Sequence, residues 1–305
     1  MSSLYRFICL ALLCGAMSGA RADLSAGLVA WYPFDGNAKD ASGNKNNGKI
    51  LGGVQPTADR YGNANGAMQF DGVDGYVSIA DAPSLNPKDQ ITVAYWMRVD
   101  DFGAEWTPVI YKGDQDEVAG CLAGRQYTFW LNSAQWAHIA SAGDGDCSHY
   151  LAGNAFAMTD KWNHVVQVID RKSAHQMSLY VNGKLQVQVD DGYSTFNRSA
   201  EPLLIGRDFE VFSSAPFHGA LDDLRIWNRA LGKNEVAELY RSSLQVAGTT
   251  DGFESLSVTC KNVTTAQTVT FSSQDKTTST WNCEAKGLVV NAGDEVRITL
   301  DGIAH

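Results

Sequence analysis

The chain has 305 residues, 44% of them hydrophobic, which is enough apolar material for at least one sizeable core. Its 34 acidic residues exceed its 24 basic ones, so the formal net charge is −10. Such a surface repels phosphate backbones and excludes nucleic acid as an expected partner.

The first 22 residues have the pattern of a cleaved export signal. Arg6 supplies a positive charge, residues 7–17 form an apolar run, and Ala20-Arg-Ala22 offers small residues at the cleavage positions. We therefore expect a mature protein that begins at Asp23 and is secreted, or held in a periplasm or at a cell surface.

Two alternatives to a cleaved signal are disfavoured. The apolar run is shorter than the roughly 20 residues that a transmembrane helix needs, and no later segment is long and apolar enough. A lipoprotein signal ending at Cys14 would need a small residue where Leu13 stands. Removing Arg6 and Arg21 with the signal leaves 22 basic against 34 acidic residues, a net charge of −12.

From Asp23 to about residue 245, short runs of β-branched and aromatic residues alternate with polar ones. This spacing of two predicts strands with one buried face, and many such strands with turns between them predict an antiparallel sandwich. Asn182-Gly183 is the strongest hairpin signal, because both residues accept positive φ angles. One amphipathic helix is predicted from Lys233 to Arg241, and we interpret it as an ordinary packing helix.

The pattern restarts after a small, polar linker. We expect one domain over residues 23–245 and a small β domain over residues 252–305. The second domain shows four short strand patterns: Leu256-Ser-Val-Thr-Cys260, Thr268-Val-Thr-Phe271, Leu288-Val-Val290 and Val296-Arg-Ile-Thr-Leu300. Its core is small, so a covalent bridge would compensate.

Four cysteines remain after the signal is removed, an even number in an exported protein. Pairing nearest neighbours predicts the disulfides Cys121–Cys147 and Cys260–Cys283, one in each domain. Each would stabilise by roughly 3 kcal/mol on a chain-entropy estimate. A zinc site is disfavoured because the sequence has no Cys-x-x-Cys pair.

Two distant segments carry the most specific pattern. The first is residues 27–36, Gly-Leu-Val-Ala-Trp-Tyr-Pro-Phe-Asp-Gly, followed by the polar turn Asp40-Ala-Ser-Gly-Asn44; the second is residues 217–231, which contain Asp222-Asp-Leu-Arg-Ile-Trp227. Between them lie further markers in a fixed order, including Gly66-Ala-Met-Gln-Phe-Asp-Gly72 and Leu179-Tyr-Val-Asn-Gly183. Together they resemble a laminin G-like domain of the concanavalin A-like lectin/glucanase superfamily, over about residues 24–241.

The resemblance implies an all-β, antiparallel jelly-roll sandwich whose first and last strands pair. It also implies a calcium ion near these strands, as a structural cofactor. Calcium takes six to eight oxygen ligands, and the predicted protein ligands are Asp40, Asn44, Asn47 and Asp222. Asp35 and Asp223 are reserve candidates. The alternative is that the early segment is simply a turn, since Asp, Ser, Gly and Asn are standard turn residues.

Other acidic clusters could hold a second cation. Residues 114–117 and the Asp144-Gly-Asp146 segment are the two candidates, and neither matches a twelve-residue calcium loop. We interpret both as solvated loop charges.

Aromatic residues crowd one loop-rich region, where they could bind a ligand: Trp106, Tyr127, Trp130 and Trp136. Aromatic faces are favoured at recognition surfaces. Because residues 127, 129 and 131 alternate with residues 128 and 130, part of this set must belong to the core. We expect Trp106, Trp130 and Trp136 to be exposed.

No catalytic residue is predicted, because the common hydrolase motifs are absent, as is the Glu-x-Asp-x-x-Glu pattern of glycan-cleaving relatives. Three functions stay open. The first is an exported module that binds carbohydrate or a glycan-bearing surface, the second an adhesive module that binds a cell-surface or matrix protein. The third is a glycoside hydrolase or lyase with a distant carboxylate pair.

Overall fold

The computed structural model of the protein describes residues 23–113, 124–146, 149–152, 156, 158–209, 215–243, 247–250, 253–273, 279–283, 288 and 296–304. The predicted signal peptide, Cys121, Cys147 and the acidic residues 114–117 lie outside these ranges.

The N-terminal part of the chain contributes one short 3-10 helix at Pro83–Leu85 and six strands. They are β1 (Leu28–Tyr32), β2 (Gly48–Leu51), β3 (Gln55–Thr57), β4 (Ala67–Asp71), β5 (Tyr76–Ile79) and β6 (Gln90–Asp101). The following strands complete the sandwich: β7 (Trp106–Gly113), β8 (Arg125–Asn132), β9 (Trp136–Ser141), β10 (His149–Ala152), β11 (Asn163–Asp170), β12 (Gln176–Val181), β13 (Lys184–Asp190), β14 (Leu203–Ile205) and β15 (His218–Trp227). Helix α1 spans Lys233–Ser242.

Within the described residues these strands form two antiparallel sheets. The eight-stranded first sheet has the order β13-β12-β11-β6-β15-β4-β3, with β1 also paired to β15. The seven-stranded second sheet has the order β10-β9-β8-β7-β14-β5-β2. The predicted pairing of the two distant segments is confirmed, because Trp31 lies opposite Arg225 and Tyr32 opposite Leu224.

The inner faces of the two sheets pack into one core. Tyr95 of the first sheet meets Phe129 of the second edge to face, with ring centroids 5.5 Å apart. The side chains of both sheets obey the period of two, so residues such as Val165 and Ile169 point inward while Val166 and Val168 point outward. The prediction of an all-β antiparallel sandwich is confirmed.

The predicted hairpin and helix are both present. Asn182 and Gly183 join β12 to β13 with positive φ angles of 50° and 73°. Helix α1 lies on the outer face of the first sheet, where Val236 and Leu239 are buried against Val166 and Trp227. No helix in the described part of the chain is long and apolar enough to cross a membrane.

The C-terminal region forms two further sheets that share no strand with the sandwich. Its strands are β16 (Ala247–Thr250), β17 (Phe253–Asn262), β18 (Thr268–Ser273), β19 (Ser279–Asn282) and β20 (Val296–Ala304). β18-β17-β20 form one sheet and β16-β19 the other. The predicted Cys260–Cys283 disulfide is present, with Cα atoms 5.9 Å apart, whereas the proposed domain limits stay a prediction.

Candidate functional site

The predicted calcium turn is organised by the side chain of Asp40. One carboxylate oxygen accepts hydrogen bonds from the backbone N–H groups of Trp31 (3.0 Å) and Ser42 (2.8 Å), and the other accepts one from Asn46 N–H (2.9 Å). The carboxylate therefore fixes the turn against β1.

The two asparagines also bond within this turn and to β1. Asn44 donates from Nδ2 to the carbonyl of Leu28 (3.2 Å), and Asn47 Oδ1 accepts the backbone N–H of Asp40 (3.0 Å). Asp35, a reserve candidate, is exposed. The turn is rich in oxygen atoms, but hydrogen bonds within the chain already account for its local geometry.

Asp222 has a different partner. It is 4% exposed and forms an ion pair with Arg60. The Arg60 guanidinium lies 4.4 Å from the centroid of the Tyr61 ring and 4.8 Å from that of Trp96. Arg60 and the Tyr61 hydroxyl both donate to the carbonyl of Ser243, at the end of α1. The segment around residue 60 is thus fastened to the sheet and to the helix.

Burial dominates the electrostatics of Asp222. It raises the pKa of this carboxyl to about 7; the Arg60 charge opposes the rise, while Asp223 and Asp59 add to it. Because a guanidinium already neutralises this carboxylate, a second cation there would be repelled.

Asp223, the other reserve candidate, accepts a hydrogen bond from the indole of Trp31 (2.7 Å) and pairs with Arg225. Among the described residues, no group of three or more His, Cys, Asp or Glu side chains could hold a metal ion. Asp222 already has a cationic partner in Arg60. Calcium binding by Asp40, Asn44, Asn47 and Asp222 stays a prediction.

A row of three side chains crosses the second sheet near its outer edge. Trp106 of β7 lies opposite Asn132 of β8, and Asn132 lies opposite Trp136 of β9. Directly opposed residues point to the same face, so the two indoles flank the amide of Asn132 on the outer face of the sheet. Trp136 is 44% exposed, one of the few large hydrophobic side chains so open to solvent.

These side chains line an open pocket of about 210 Å³. Its wall consists of Trp106, Asn132, Ala134, Trp136, Ala137 and His138. The His138 ring lies 5.2 Å from the Trp106 ring. Burial, together with a smaller contribution from the Arg125 charge, lowers the pKa of His138 to about 4, so the imidazole is neutral at ordinary pH.

Two of the four predicted aromatic ligands do not contribute an open surface. Tyr127 is 2% exposed, lies in the inner core and donates its hydroxyl to the carbonyl of Leu85 (3.0 Å). The reason is the strand period: residue 127 faces inward when residue 130 faces outward. Trp130 does face outward, yet the prediction that it is exposed is wrong, because it is 4% exposed against Tyr111 and Leu204.

Asn132 and His138 were missed from the sequence. They can be recognised only from the pairing of β8 with β9, because the short turn between Asn132 and Trp136 sets which side chains lie opposite each other. Of the acidic loop predictions, Asp144 is described, and its carboxylate caps the backbone N–H groups of Ser194 and Thr195. This carboxylate therefore stabilises the loop through hydrogen bonds.

A larger groove of about 600 Å³ lies on the outer face of the first sheet, beside the start of α1. Its floor combines aliphatic side chains with Ser178, Gln176 and Gln188, and its aromatic residue, Tyr180, is only 7% exposed. The groove therefore lacks an aromatic side chain as exposed as Trp136.

Residues 71–237, more than half of the chain, match the family model for the concanavalin A-like lectin/glucanases superfamily, a laminin G model. The chain belongs to this superfamily. The matched segment contains Trp106, Asn132, Trp136 and Asp222, whereas the early turn precedes it. No curated protein has a significantly similar sequence.

Solved structures share the fold at low identity. Domain 4 of an extracellular GH43 arabinanase from Geobacillus stearothermophilus superposes with a TM-score of 0.54 and 20% identity, covering 70% of this chain and 98% of that domain. The binding domain of Paraclostridial Mosquitocidal Protein 1 gives 0.56 and 14%, covering 82% and 64%. A botulinum neurotoxin serotype D/C binding domain gives 0.58 and 13%, covering 79% and 59%. The chain thus spans about three fifths of each toxin domain.

Proposed function

We propose that this protein is a recognition module that binds a carbohydrate in the pocket between Trp106 and Trp136. The observation that carries the proposal is the open indole of Trp136, 44% exposed, at one wall of a pocket whose other wall is a second indole. The exposed part of this ring adds nothing to the stability of the sandwich.

The chemistry of the pocket suits a sugar ring. A sugar presents an apolar face of C–H groups, which packs on an indole face, and an edge of hydroxyl groups, which needs hydrogen-bonding partners. Small-molecule sites commonly combine apolar walls with a few placed polar groups. Here the two indoles supply the walls and Asn132 supplies the polar group.

The structural neighbours support a binding role without specifying a ligand for this chain. The arabinanase domain was solved in complex with arabinotriose. One botulinum neurotoxin DC binding domain was solved with SialylT and another with rat synaptotagmin II, a protein. A protein partner is therefore the main alternative outcome of the test.

The test is binding of the mature chain to a panel of soluble polysaccharides and oligosaccharides by affinity electrophoresis and calorimetry. We expect at least one ligand, and at least tenfold weaker binding of Trp136→Ala and Trp106→Ala. Leu185→Ala is the matched control, because this side chain is 49% exposed on the outer face of the other sheet. Absence of any sugar ligand, or unchanged binding by Trp136→Ala, would refute the proposal.

We also propose export, with removal of residues 1–22. Mass spectrometry of protein recovered outside the producing cytoplasm should give a chain that begins at Asp23. A chain that retains Arg6 would refute this cleavage.

A calcium ion is proposed for the Asp40–Asn47 turn alone, since Arg60 occupies Asp222. Chelation should then lower the melting temperature of the wild type and leave that of Asp40→Asn unchanged. Identical melting curves of the wild type with calcium and with a chelator would show that calcium does not stabilise this fold. The sugar pocket does not depend on the outcome.

A further inference from the structure

The amide of Asn132 has a fixed orientation. Its Oδ1 accepts the backbone N–H of Ala134 at 2.8 Å, two residues along the turn that joins β8 to β9. This contact identifies the oxygen and directs Nδ2 away from the turn backbone. No described residue accepts a hydrogen bond from Nδ2, so Asn132 offers the pocket a donor.

The pocket wall carries no charged side chain. Of its six residues, five are aromatic, aliphatic or amide side chains, and His138 is neutral because burial lowers its pKa to about 4. Arg125, whose charge acts on His138, is 8% exposed and lies over the Trp130 ring at 5.0 Å, outside the pocket wall.

A carboxylate entering this pocket would lose hydration and gain only one neutral donor, the amide of Asn132, with no cation in the pocket wall. Burying an uncompensated charge is strongly unfavourable, whereas a hydroxyl or ring oxygen needs only one donor. The net charge of the chain, −10, adds a negative field that opposes anionic glycans at longer range. The volume, about 210 Å³, is below the roughly 300 Å³ typical of drug-sized ligand sites, which fits one sugar ring.

We propose that the pocket selects an uncharged sugar ring, and that Asn132 donates from Nδ2 to a hydroxyl or ring oxygen of that sugar between the two indoles. This inference rests on the proposed carbohydrate function and names its ligand class and its hydrogen-bonding residue.

The first experiment compares matched neutral and acidic probes on the wild-type chain. The pairs are lactose against sialyllactose, and xylo-oligosaccharides without and with a glucuronic acid branch, added to the oligosaccharides of the panel. We expect at least tenfold tighter binding of the neutral member wherever a pair binds. Equal or tighter binding of the acidic member overturns the ligand class. If neither pair and no panel member binds, the carbohydrate function falls and this inference falls with it.

The second experiment uses Asn132→Asp, which keeps the acceptor for Ala134 N–H and the side-chain shape but replaces the Nδ2 donor with a carboxylate oxygen. We expect at least tenfold weaker binding of the neutral ligand with an unchanged melting temperature. Asn132→Ser, whose hydroxyl can still accept from Ala134, guards against a folding defect and should weaken binding as well.

The experiments distinguish failure of the sugar site from failure of the role of Asn132. If Trp136→Ala abolishes binding while Asn132→Asp binds like the wild type, the sugar site stands and the role of Asn132 is refuted. If all three variants bind like the wild type, the pocket itself is refuted.

Discussion

The two outer faces of the sandwich use tryptophan in opposite ways. On the first sheet, α1 covers Trp227, which is 0% exposed, and the ring of Tyr240 packs beside Trp96 and His164. On the second sheet no helix of the described residues covers the β7-β8-β9 edge, and Trp136 remains 44% exposed. Trp227 thus packs beneath a helix on the outer face of the first sheet, whereas Trp136 stays accessible to solvent on the outer face of the second. Whether another element packs over the strand decides whether its tryptophan is buried or exposed.

The covered face is also stabilised by a buried ion pair. Arg60 reaches over Trp96 to pair with the buried Asp222, and the same segment holds the last turn of α1 through Ser243. The buried ion pair and the proposed sugar pocket therefore lie on different sheets, and substitutions should separate their effects on stability and on binding.

The largest effect is expected from Trp227→Ala. The variant should lose about 4 kcal/mol of unfolding free energy, because it leaves a cavity under α1 and removes the indole hydrogen bond to the carbonyl of Leu24 (2.8 Å). Chemical denaturation measures this loss. A loss below 1 kcal/mol would mean that the packing of α1 on Trp227 contributes little to the unfolding free energy.

Arg60→Ala should cost about 3 kcal/mol at pH 8, because it leaves the carboxylate of Asp222 buried without its partner. Adding Asp222→Asn should restore much of the loss. Arg98→Ala is the matched control: both members of its ion pair with Asp100 are 28% exposed, so its removal should cost at most about 1 kcal/mol. Equal losses of unfolding free energy in Arg60→Ala and Arg98→Ala would show that the buried Arg60–Asp222 ion pair has no special role in stability.

His164→Phe should change the pH dependence of stability. Burial, together with smaller contributions from the charges of Arg60 and Arg225, lowers the pKa of His164 to about 3. A folded-state pKa below the unfolded value stabilises the protein above about pH 6.5, and this contribution is lost as the pH falls towards 3. Between pH 7 and pH 5 the wild type should therefore lose about 2 kcal/mol more than the variant.

Asp222, whose raised pKa acts in the opposite direction, is present in both proteins and largely cancels in this difference. Denaturation at the two pH values measures it. The exposed His175 provides the control, since His175→Gln should keep the slope of the wild type. Parallel slopes for the wild type and His164→Phe would show that His164 is not held neutral.

Trp136→Ala should have the smallest effect on stability, at most about 1 kcal/mol, because the side chain is nearly half exposed and does not belong to the core between the sheets. The same variant is expected to lose sugar binding. A large loss of stability would instead assign this indole to the packing of the second sheet and weaken the contrast between the faces.

Much of the fold was predictable because its signals are local. The Asn182-Gly183 hairpin, the helix after Gly232 and the alternation along β6 and β11 need only neighbouring residues to be recognised. The pairing of β1 with β15 is not local, and it was predicted through the family pattern of the two segments.

The candidate site was predicted less well. Trp106 and Trp136 were among the predicted residues, but Tyr127 and Trp130 were placed with them, and Asn132 was missed. Adjacent aromatic residues on one strand look alike in the sequence, whereas their roles depend on which sheet face each occupies and on what packs above it.

The sequence by itself determined the sandwich, the amphipathic helix and the Cys260–Cys283 bridge, because strand period, helix period and cysteine spacing are written in the order of the residues. Only the tertiary structure decided that Arg60 neutralises Asp222, that Trp130 is covered and that Asn132 stands between two indoles. The contacts of Arg60 and Trp130 join segments far apart in the chain, and those of Asn132 depend on the register of β7, β8 and β9. Burial and charge pairing depend on neighbours in space.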